Sequence, residues 1–352
     1  MPPCHSPDPP NASFPRRSLL IGAASLGLTA CHKGVLETAS RTPPLDVERL
    51  DKSVAALAER AKPGILGVGL INLESGQNWS WAGDRRFPMQ SVFKAVLAAA
   101  ALAEVDANRL SLAEIVTLTD KQLSPPHSPI ADAWPARRDY TIEELLNAAV
   151  SDSDNTAADV LMKRIGGPGA VTAWLQAKRL DEIRIDRYER ELQPDVYGMA
   201  SFRAAWKGAK AFDAARATVA PSARMKAMTA YMVDPRDTAT PRGMATFLSR
   251  LDAGEMISQP STRRLLTLMA GLPGAADRLK AGLPPDARFA HKPGTSGTDQ
   301  GLTPAFNDVG IFTLADRRSY AVAAFLSGST AGDAARAALL ADLARALVGA
   351  VG

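Results

Sequence analysis

Apolar residues recur at helical spacing through the middle of the chain and in short β-rich runs towards both of its ends. Between about residues 91 and 277, runs such as SVFKAVLAAAALAEV and STRRLLTLMAG have the helical period. The runs ILGVGLINL and QNWSWAGD, joined by Glu74-Ser75-Gly76, predict a hairpin. Strands return in ARFAHK, FNDVGIFTL and SYAVAAFL, and AGDAARAALLADLARALVG predicts a final helix. Strands therefore flank a long helical stretch.

This order predicts an α/β protein with two domains. Residues 46–88 and 278–352 would form a discontinuous antiparallel sheet domain flanked by helices, because strands from both ends of a chain can pair in one sheet. An amphipathic helix from Asp46 to Ala61 would open this domain. Residues 89–277 would form an all-helical domain. A site between the two domains would draw residues from both.

The N-terminal residues have the pattern of an export signal. Arg16 and Arg17 precede SLLIGAASLGLTA, an apolar run too short to cross a bilayer, which ends in small residues before Cys31. We expect residues 1–31 to be a signal peptide with lipidation at Cys31, and residues 32–45 to be a tether. The protein would then be periplasmic and held to the membrane by its lipid. Two points stay open. The segment could be a plain signal peptide with a chance cysteine, and Arg16 and Arg17 could mark twin-arginine export or only the basic start of a general export signal.

Composition excludes several classes of protein. The chain is 46% hydrophobic and 22% charged, as in an ordinary globular protein. Its net charge is +4, but Lys and Arg are interleaved with Asp and Glu, so we expect no nucleic-acid partner. Cys4 and Cys31 are the two cysteines, which excludes an internal disulfide, a thiol nucleophile or a cysteine metal site in the exported domain. The four histidines lack metal-ligand spacing. We expect a monomer without metal or organic cofactor.

Ser91-Val92-Phe93-Lys94 begins an apolar helix just after Pro88. Positions i and i+3 share one helical face, so the Lys94 amine can reach the Ser91 hydroxyl. A serine needs a partner base to be nucleophilic, and a lysine desolvated by an apolar helix can serve. A capped helix with an exposed lysine is the alternative.

Two further groups of residues complete a pattern. Ser153-Asp154-Asn155 stands just before a predicted helix and by itself is also typical of N-capping. Lys292-x-Gly294 is followed by Thr295 and by itself is also typical of a strand that ends in a turn. The order and spacing of the three groups together favour a catalytic site.

Ser-x-x-Lys, Ser-Asp-Asn and Lys-x-Gly in this order are similar to the signature set of class A β-lactamases and penicillin-binding proteins. The chain resembles the class A enzymes over nearly all of residues 46–350. SDNTAADVLMKRIGGPGAVTAWL is similar to the family's central helices, RIDRYERELQ to the start of its Ω loop, and PRDTATPRGMATFL to the end of that loop and the next helix. The resemblance implies a serine β-lactamase-like fold and hydrolysis of small β-lactam substrates.

The resemblance also implies a role for each catalytic residue. Ser91 would be acylated, Lys94 would be its partner, and Ser153 would relay a proton to the departing lactam nitrogen. Glu189 would activate the water that hydrolyses the ester. Glu191 is a second glutamate in the same run, and the register favours Glu189. Whether Lys94 or Glu189 takes the serine proton is left open.

The resemblance further implies contacts to the substrate. The positions concerned are Asn155, Lys292, Gly294, Thr295, Arg278, His127 and Gln193. An exposed surface position is the alternative for the arginine and the histidine. Backbone N–H groups of Ser91 and Thr295 would form the oxyanion hole. Arg187 and Asp237 would form the ion pair at the base of the Ω loop, which is a structural role.

The sequence departs from the family at three places. Pro293 replaces a Thr or Ser whose hydroxyl would contact the substrate carboxylate. Gln193 replaces an Asn that helps to hold the deacylating water. Between Glu189 and Pro241 lie 51 residues, and the excess, about residues 198–234, contains helical runs. We expect this insertion to be either a flap beside the cleft or a peripheral addition.

Three functions are compatible with these residues. The first is a β-lactam hydrolase that forms a serine acyl-enzyme. The second is a penicillin-binding peptidase that acts on cell-wall peptides and would lack the deacylating glutamate. The third is a non-catalytic periplasmic lipoprotein that binds such ligands, with Pro293 and Gln193 as signs of lost catalysis. We favour the first because Glu189 is present.

Overall fold

The computed structural model describes residues 43–352. The predicted signal peptide, Cys31 and most of the tether lie outside the described residues. A five-stranded sheet has the order β2-β1-β9-β8-β7, with every neighbouring pair antiparallel. Two short pairs, β3 with β6 and β4 with β5, lie apart from it. The strands are β1 (Ile65–Asn72), β2 (Asn78–Trp81), β3 (Phe87–Pro88), β4 (Ile115–Thr117), β5 (Asp139–Thr141), β6 (Thr238–Ala239), β7 (Arg288–Thr295), β8 (Thr303–Thr313) and β9 (Ser319–Ser329).

Helices precede, follow and separate these strands. They are α1 (Val47–Ala61), α2 (Phe93–Asp106), α3 (Pro129–Ala133), α4 (Ile142–Val150), α5 (Asn155–Arg164), α6 (Pro168–Ala177), α7 (Glu189–Val196), α8 (Ala209–Ala217), α9 (Pro221–Tyr231), α10 (Pro241–Asp252), α11 (Gln259–Ala270), α12 (Leu279–Gly282) and α13 (Asp333–Gly349). Within residues 43–352, no helix is long and apolar enough to span a bilayer. The sheet formed by both ends of the chain agrees with the predicted α/β fold class, while the exact division into two domains stays a prediction.

The two faces of the sheet pack against different helices. On one face α1 and α13 contribute Leu50 and Leu340 to an apolar cluster that includes Val68 of β1. The opposite face packs against α10. Gly69 of β1 allows this close approach, because a Cβ atom at Gly69 would lie 2.3 Å from the carbonyl oxygen of Pro241. The helical side of the molecule is thereby fixed directly against the sheet.

Helix α2 lies at the centre of the helical side. Its residues from Phe93 to Leu102 are all buried, and α4, α5 and α11 pack around it. A helix that is apolar on every side is expected in a protein interior. Lys94 is the one charged residue in this buried run, so the fold carries an amine away from bulk solvent. Such a burial requires partners for the amine.

The inserted segment, residues 198–234, contains α8 and α9 and forms a small core with α7. This core includes Leu192 and Val196 from α7 and Phe212, Met228 and Tyr231 from the inserted segment. Helix α9 packs on α7 and also contacts β8. The inserted segment is therefore part of the folded body beside α7.

A buried ion pair closes the loop that carries α7. The Nε atom of Arg187 donates to Oδ2 of Asp237 at 2.6 Å. The other oxygen of Asp237 accepts from the backbone N–H groups of Asp186 and Arg187 at 2.7 and 3.0 Å. Both side chains are almost fully buried. The contact joins the two ends of a long loop, as the resemblance implied.

We predict that Arg187→Ala destabilises the fold by about 3 kcal/mol, because it leaves the Asp237 carboxylate buried without its cation. Urea-induced unfolding measures this loss. Arg109→Ala is the matched control, since Arg109 pairs with Glu104 on the surface. That control should cost much less, because exposed ion pairs contribute little. Equal losses for the two variants would show that the buried pair does not hold the loop.

Candidate active site

A cleft of about 410 Å³ brings together six of the residues predicted from the sequence. These six residues line the cleft directly: Ser91, His127, Ser153, Asn155, Gln193 and Thr295. Lys94, Glu189 and Lys292 are buried beside them, with no exposed surface. The predicted residues lie on or next to α2, α3, α5, α7 and β7, which are far apart in sequence. The sheet and the helical side of the molecule thus share one site.

Ser91 lies in a 3-10 turn, Gln90–Val92, that leads into α2. Gln90 has a φ of +48°, a left-handed conformation that is unusual for a residue with a side chain. The strand β7 comes very close to this turn, because a Cβ atom at Gly294 would lie 2.4 Å from the carbonyl oxygen of Met89. Gly294 is therefore required by packing, and it brings the cleft wall next to Ser91.

The buried amine of Lys94 has three polar partners. Its Nζ atom donates to the carbonyl oxygen of Ser153 at 2.6 Å and to Oδ1 of Asn155 at 2.5 Å. It also lies 3.1 Å from Oε1 of Glu189. Within residues 43–352, no hydrogen bond joins this amine to the Ser91 hydroxyl, although helical spacing predicted that it could reach. The amine instead joins α2 to α5 and α7.

Glu189 is the glutamate that faces the lysine. Its Oε2 atom accepts from Nε2 of Gln193 at 2.7 Å, one helical turn further along α7. Its Oε1 atom is buried, lies beside Lys94 and has no hydrogen-bond donor among the described residues. Glu191 is exposed, and its carboxylate accepts from the backbone N–H of Tyr188 at the start of α7. The structure thus places Glu189, and not Glu191, at the centre of the site.

Asp159 holds the start of α7 in place, and sequence reasoning missed it. Its carboxylate accepts from the backbone N–H groups of Glu189 and Arg190 at 2.7 and 3.0 Å, and from the Ser124 hydroxyl at 2.6 Å. Burial, together with the nearby Glu189 carboxylate, raises the pKa of Asp159 to about 7. The signal was present in the sequence, because Asp159 follows Asn155 by four residues and so shares its helical face.

Ser153 and Lys292 meet across the cleft. Nζ of Lys292 donates to Oγ of Ser153 at 2.9 Å. Nζ of Lys94 lies 3.5 Å from the same oxygen. Burial and the neighbouring charge of Lys94 hold the pKa of Lys292 well below its usual value. The Ser153 hydroxyl is thus the point at which both amines converge.

Arg278 lies behind β7 and does not line the cleft. Its Nη2 atom donates to the Thr295 hydroxyl oxygen at 2.5 Å, and Nη1 donates to the carbonyl oxygen of Asn307 at 2.7 Å. The guanidinium also stacks on the ring of Phe306 at 3.8 Å. Of the two alternatives for Arg278, the exposed surface position is wrong. Arg278 contacts the cleft only indirectly, through the hydroxyl of Thr295.

The remaining predicted positions in the cleft are Pro293, Asn155 and His127. The Pro293 ring lines the cleft and offers no hydroxyl. The Asn155 amide is used within the protein, since Nδ2 donates to the carbonyl oxygen of Pro125 at 2.6 Å while Oδ1 accepts from Lys94. His127 is exposed at the cleft edge, with Nε2 2.8 Å from the carbonyl oxygen of Asp152.

The inserted segment also lines the cleft, which decides between the two alternatives left by the sequence. Tyr197, just before the segment, and Phe212, Asp213 and Arg216 on α8 border the cleft. Tyr231 on α9 reaches Gln90, whose Nε2 donates to the tyrosine oxygen at 2.8 Å. No motif singled out these residues, because the helical pattern of the segment gives no indication of where it packs. A peripheral position is therefore wrong.

No group of three His, Cys, Asp or Glu side chains within residues 43–352 is arranged to hold a metal ion. The charged groups of the cleft are those already described.

Comparisons with known proteins agree with this geometry. The family model described as "Beta-lactamase enzyme family" matches residues 49–351. The β-lactamase L2 of Stenotrophomonas maltophilia is 30% identical over 92% of this chain and 93% of its own length. The β-lactamase of Streptomyces albus G is 30% identical over 97% of this chain and 99% of its own length.

Solved structures give the same result. An ancestral class A β-lactamase is 33% identical, has a TM-score of 0.70 and covers 86% of this chain and 99% of its own. A β-lactamase from Chitinophaga pinensis is 30% identical, with a TM-score of 0.71 over 86% of this chain and 99% of its own.

We predict that Asp159 makes stability depend on pH. Its folded pKa lies above that of an unfolded aspartate, about 4, so folding favours the protonated form. This contribution is complete below about pH 4 and is lost as the pH rises to about 7. Relative to Asp159→Asn, the parent protein should therefore become less stable between pH 5 and pH 8. Urea unfolding of both proteins at the two pH values measures the difference, and parallel pH curves would contradict the prediction.

Proposed function

The chain belongs to the β-lactamase enzyme family, in its class A branch, and is a β-lactam hydrolase; from this premise we propose that it works through an ester on Ser91 that a Glu189-activated water hydrolyses. The observation that supports the proposal most strongly is the buried cluster of Lys94, Glu189 and Gln193 next to Ser91. Each of these groups has a step to perform in such a reaction.

In the proposed acylation, Ser91 Oγ attacks the lactam carbonyl carbon and the C–N bond of the four-membered ring opens. The serine proton passes to Lys94 or Glu189, and both groups lie 3.1 Å apart in the same buried region. The lactam nitrogen leaves with a proton from the Ser153 hydroxyl. This hydroxyl is suited to the relay because it lies 3.5 Å from Lys94 Nζ and 2.9 Å from Lys292 Nζ.

In the proposed deacylation, Glu189 takes a proton from a water molecule as its oxygen attacks the ester carbonyl. The Ser91 oxygen then leaves and recovers a proton. Gln193 holds Oε2 of Glu189 at 2.7 Å, while Oε1 lies 3.1 Å from the Lys94 amine. A carboxylate oxygen has two lone pairs, so Oε1 could also accept from the attacking water. The longer glutamine thereby replaces the family's asparagine as the group that orients the base.

The substrate carboxylate would bind at the end of the cleft formed by Lys292, Ser153 and Thr295. Arg278 donates to the oxygen of the Thr295 hydroxyl, so the hydroxyl hydrogen is free to point at the substrate. The hydroxyl missing at Pro293 would cost about 1.5–3 kcal/mol of binding if nothing replaced it. We infer that the Arg278–Thr295 pair supplies the remaining donor.

The same geometry weighs against the two rival functions. A peptidase whose ester persists would have no need of a carboxylate buried beside the acylated serine. A protein that only binds ligands would have no need of Lys94, because an amine buried without function is costly. The buried pair of Lys94 and Glu189 therefore supports a hydrolase that also cleaves its ester.

We predict that Glu189→Gln accumulates an ester on Ser91, because the water loses its base while acylation can still use Lys94. Turnover of a chromogenic cephalosporin should fall by roughly 10²–10⁴-fold. Mass spectrometry of the intact protein should show the mass of one bound substrate.

Glu191→Gln is the matched control, because Glu191 is the exposed glutamate two residues along the same helix. This variant should turn over at close to the parental rate. Steady turnover by Glu189→Gln at the parental rate would rule out the proposed deacylation.

A further inference from the structure

Helix α8 of the inserted segment brings an arginine to the active-site cleft. Phe212, Asp213 and Arg216 on this helix line the cleft that Ser91 also lines. The Arg216 side chain is 24% exposed, so it is half-buried and still accessible from the cleft. The three signature groups do not include this cation, and the proposed steps make no use of it.

Arg216 is held in a defined position. Its guanidinium carbon lies 5.0 Å above the centre of the Tyr197 ring. Its Nη2 atom lies 3.1 Å from Oδ1 of Asp213, one helical turn earlier. A guanidinium stacked on an aromatic ring loses less freedom when it binds an anion than a free one does. Arg216 is therefore prepared for a ligand.

The cleft wall next to Arg216 carries no side chain. A Cβ atom at Gly297 would lie 2.4 Å from the Tyr197 hydroxyl oxygen and 3.8 Å from Nη1 of Arg216. Tyr197 thus packs on the bare backbone that follows β7. The same packing leaves the guanidinium facing the cleft beside Gly297.

Cations act on the cleft at two places. Lys292 and Arg278 lie behind its wall and donate to the hydroxyl oxygens of Ser153 and Thr295, where the ring carboxylate common to β-lactams would bind. Arg216 lies beyond the end of β7, beside Gly297, on the α8 wall. A substrate whose ring carboxylate occupies the first of these two places would direct its acyl side chain away from it.

On the basis of the proposed function, we propose that Arg216 binds a negatively charged group on the acyl side chain of the β-lactam. The chemical class is a carboxylate on the side chain, which a guanidinium binds through two parallel hydrogen bonds. Asp213 orients the Arg216 guanidinium through their ion pair. A substrate carboxylate would therefore bind the edge of the guanidinium that faces away from Asp213. The inserted segment thus supplies a determinant of substrate specificity.

Three penicillins with one nucleus test this proposal: benzylpenicillin, its α-carboxy derivative and its α-amino derivative. The measured quantity is the ratio of kcat/KM for each charged substrate to kcat/KM for benzylpenicillin. Arg216→Ala should lower the ratio for the α-carboxy substrate by about tenfold or more, because both hydrogen bonds to a charged group are lost. It should leave or raise the ratio for the α-amino substrate. Arg216→Lys should give an intermediate ratio, because lysine keeps the positive charge but cannot donate two parallel hydrogen bonds to one carboxylate.

Lys210→Ala is the matched control, since Lys210 is an exposed cation on the same helix that does not line the cleft. Its two ratios should equal those of the parent. An equal loss for all three substrates in Arg216→Ala would overturn the proposal, because it would indicate contact with the ring carboxylate or a purely structural role. Unchanged ratios would overturn it too. If the parent hydrolysed none of the penicillins, the proposed function itself would fail.

A separate observation concerns Tyr231 at the end of α9. A chain of hydrogen bonds connects it to Glu189 through two glutamines. Nε2 of Gln90 donates to the Tyr231 oxygen at 2.8 Å. Nε2 of Gln193 donates to Oε1 of Gln90 at 3.1 Å and to Oε2 of Glu189 at 2.7 Å. All four side chains are buried, so solvent does not replace these bonds.

The Glu189 carboxylate fixes the direction of these bonds, because it only accepts whereas the Tyr231 hydroxyl can donate or accept. Gln193 therefore presents its NH₂ group to Glu189, and the same group donates to the carbonyl oxygen of Gln90. Gln90 then presents its own NH₂ group to the Tyr231 oxygen, which holds the far end of the chain. If Gln90 turned over, two NH₂ groups would meet, and relief by turning Gln193 would place its oxygen against a carboxylate.

We infer that Tyr231 is a positioning residue for the proposed deacylation, through Gln90 and Gln193. If so, Tyr231→Phe slows deacylation more than acylation. Both kcat and KM should then fall together by about three- to tenfold, while kcat/KM changes less. Mass spectrometry should show a partly acylated protein during turnover.

Tyr140→Phe removes the hydroxyl of another buried tyrosine, on β5 and outside the cleft lining, and serves as the control. A merely structural role for Tyr231 would lower kcat through loss of folded protein, with KM unchanged and no acylated fraction. That outcome would overturn the inference. Preserved kcat/KM with an acylated fraction would support it and would leave the proposed acylation intact.

Discussion

The buried contact between Lys94 and Glu189 is the constraint on which the rest of the site depends. An amine and a carboxylate that are both removed from bulk solvent are tolerated only when each has charged or polar partners. Asn155 and the backbone of Ser153 satisfy the amine, and Gln193 satisfies one carboxylate oxygen. Helices α2, α5 and α7 must therefore meet at this point. The same requirement brings distant parts of the sequence to one site beside Ser91.

Helix α7 reaches this position because its loop is fixed at several points. Asp159 accepts the first backbone N–H groups of the helix, and the Arg187–Asp237 pair closes the loop behind it. With both ends held, a long insertion can be added without moving Glu189, since each doubling of loop length costs only about 0.6 kcal/mol. The inserted segment then packs on α7 and gains a place in the cleft wall. An added segment that packs on the catalytic loop can alter substrate choice without altering the proposed chemistry.

Pro293 changes the chemistry of the cleft wall without disturbing the strand that carries it. The residue removes a hydroxyl from the cleft wall, yet strand β7 stays paired with β8 along its whole length. Arg278 is buried behind the strand and donates to Thr295, which lines the cleft. The requirement that remains strict is Gly294, because any side chain there would collide with the turn before Ser91. The wall therefore tolerates a change of chemistry at Pro293 more readily than a change of size at Gly294.

The sequence by itself determined the fold class and the family, because the hydrophobic period and the spacing of the three signature groups are local properties. It predicted the central residues that the structure brings together, Ser91 and Lys94 among them. It also favoured Glu189 over Glu191 by register. Only the tertiary structure decided that Tyr231 reaches Gln90 and that Arg216 enters the cleft. A helical pattern shows which face of a helix is apolar, but not against which element that face packs. The inserted segment has no motif, so its role depends on contacts between residues distant in sequence.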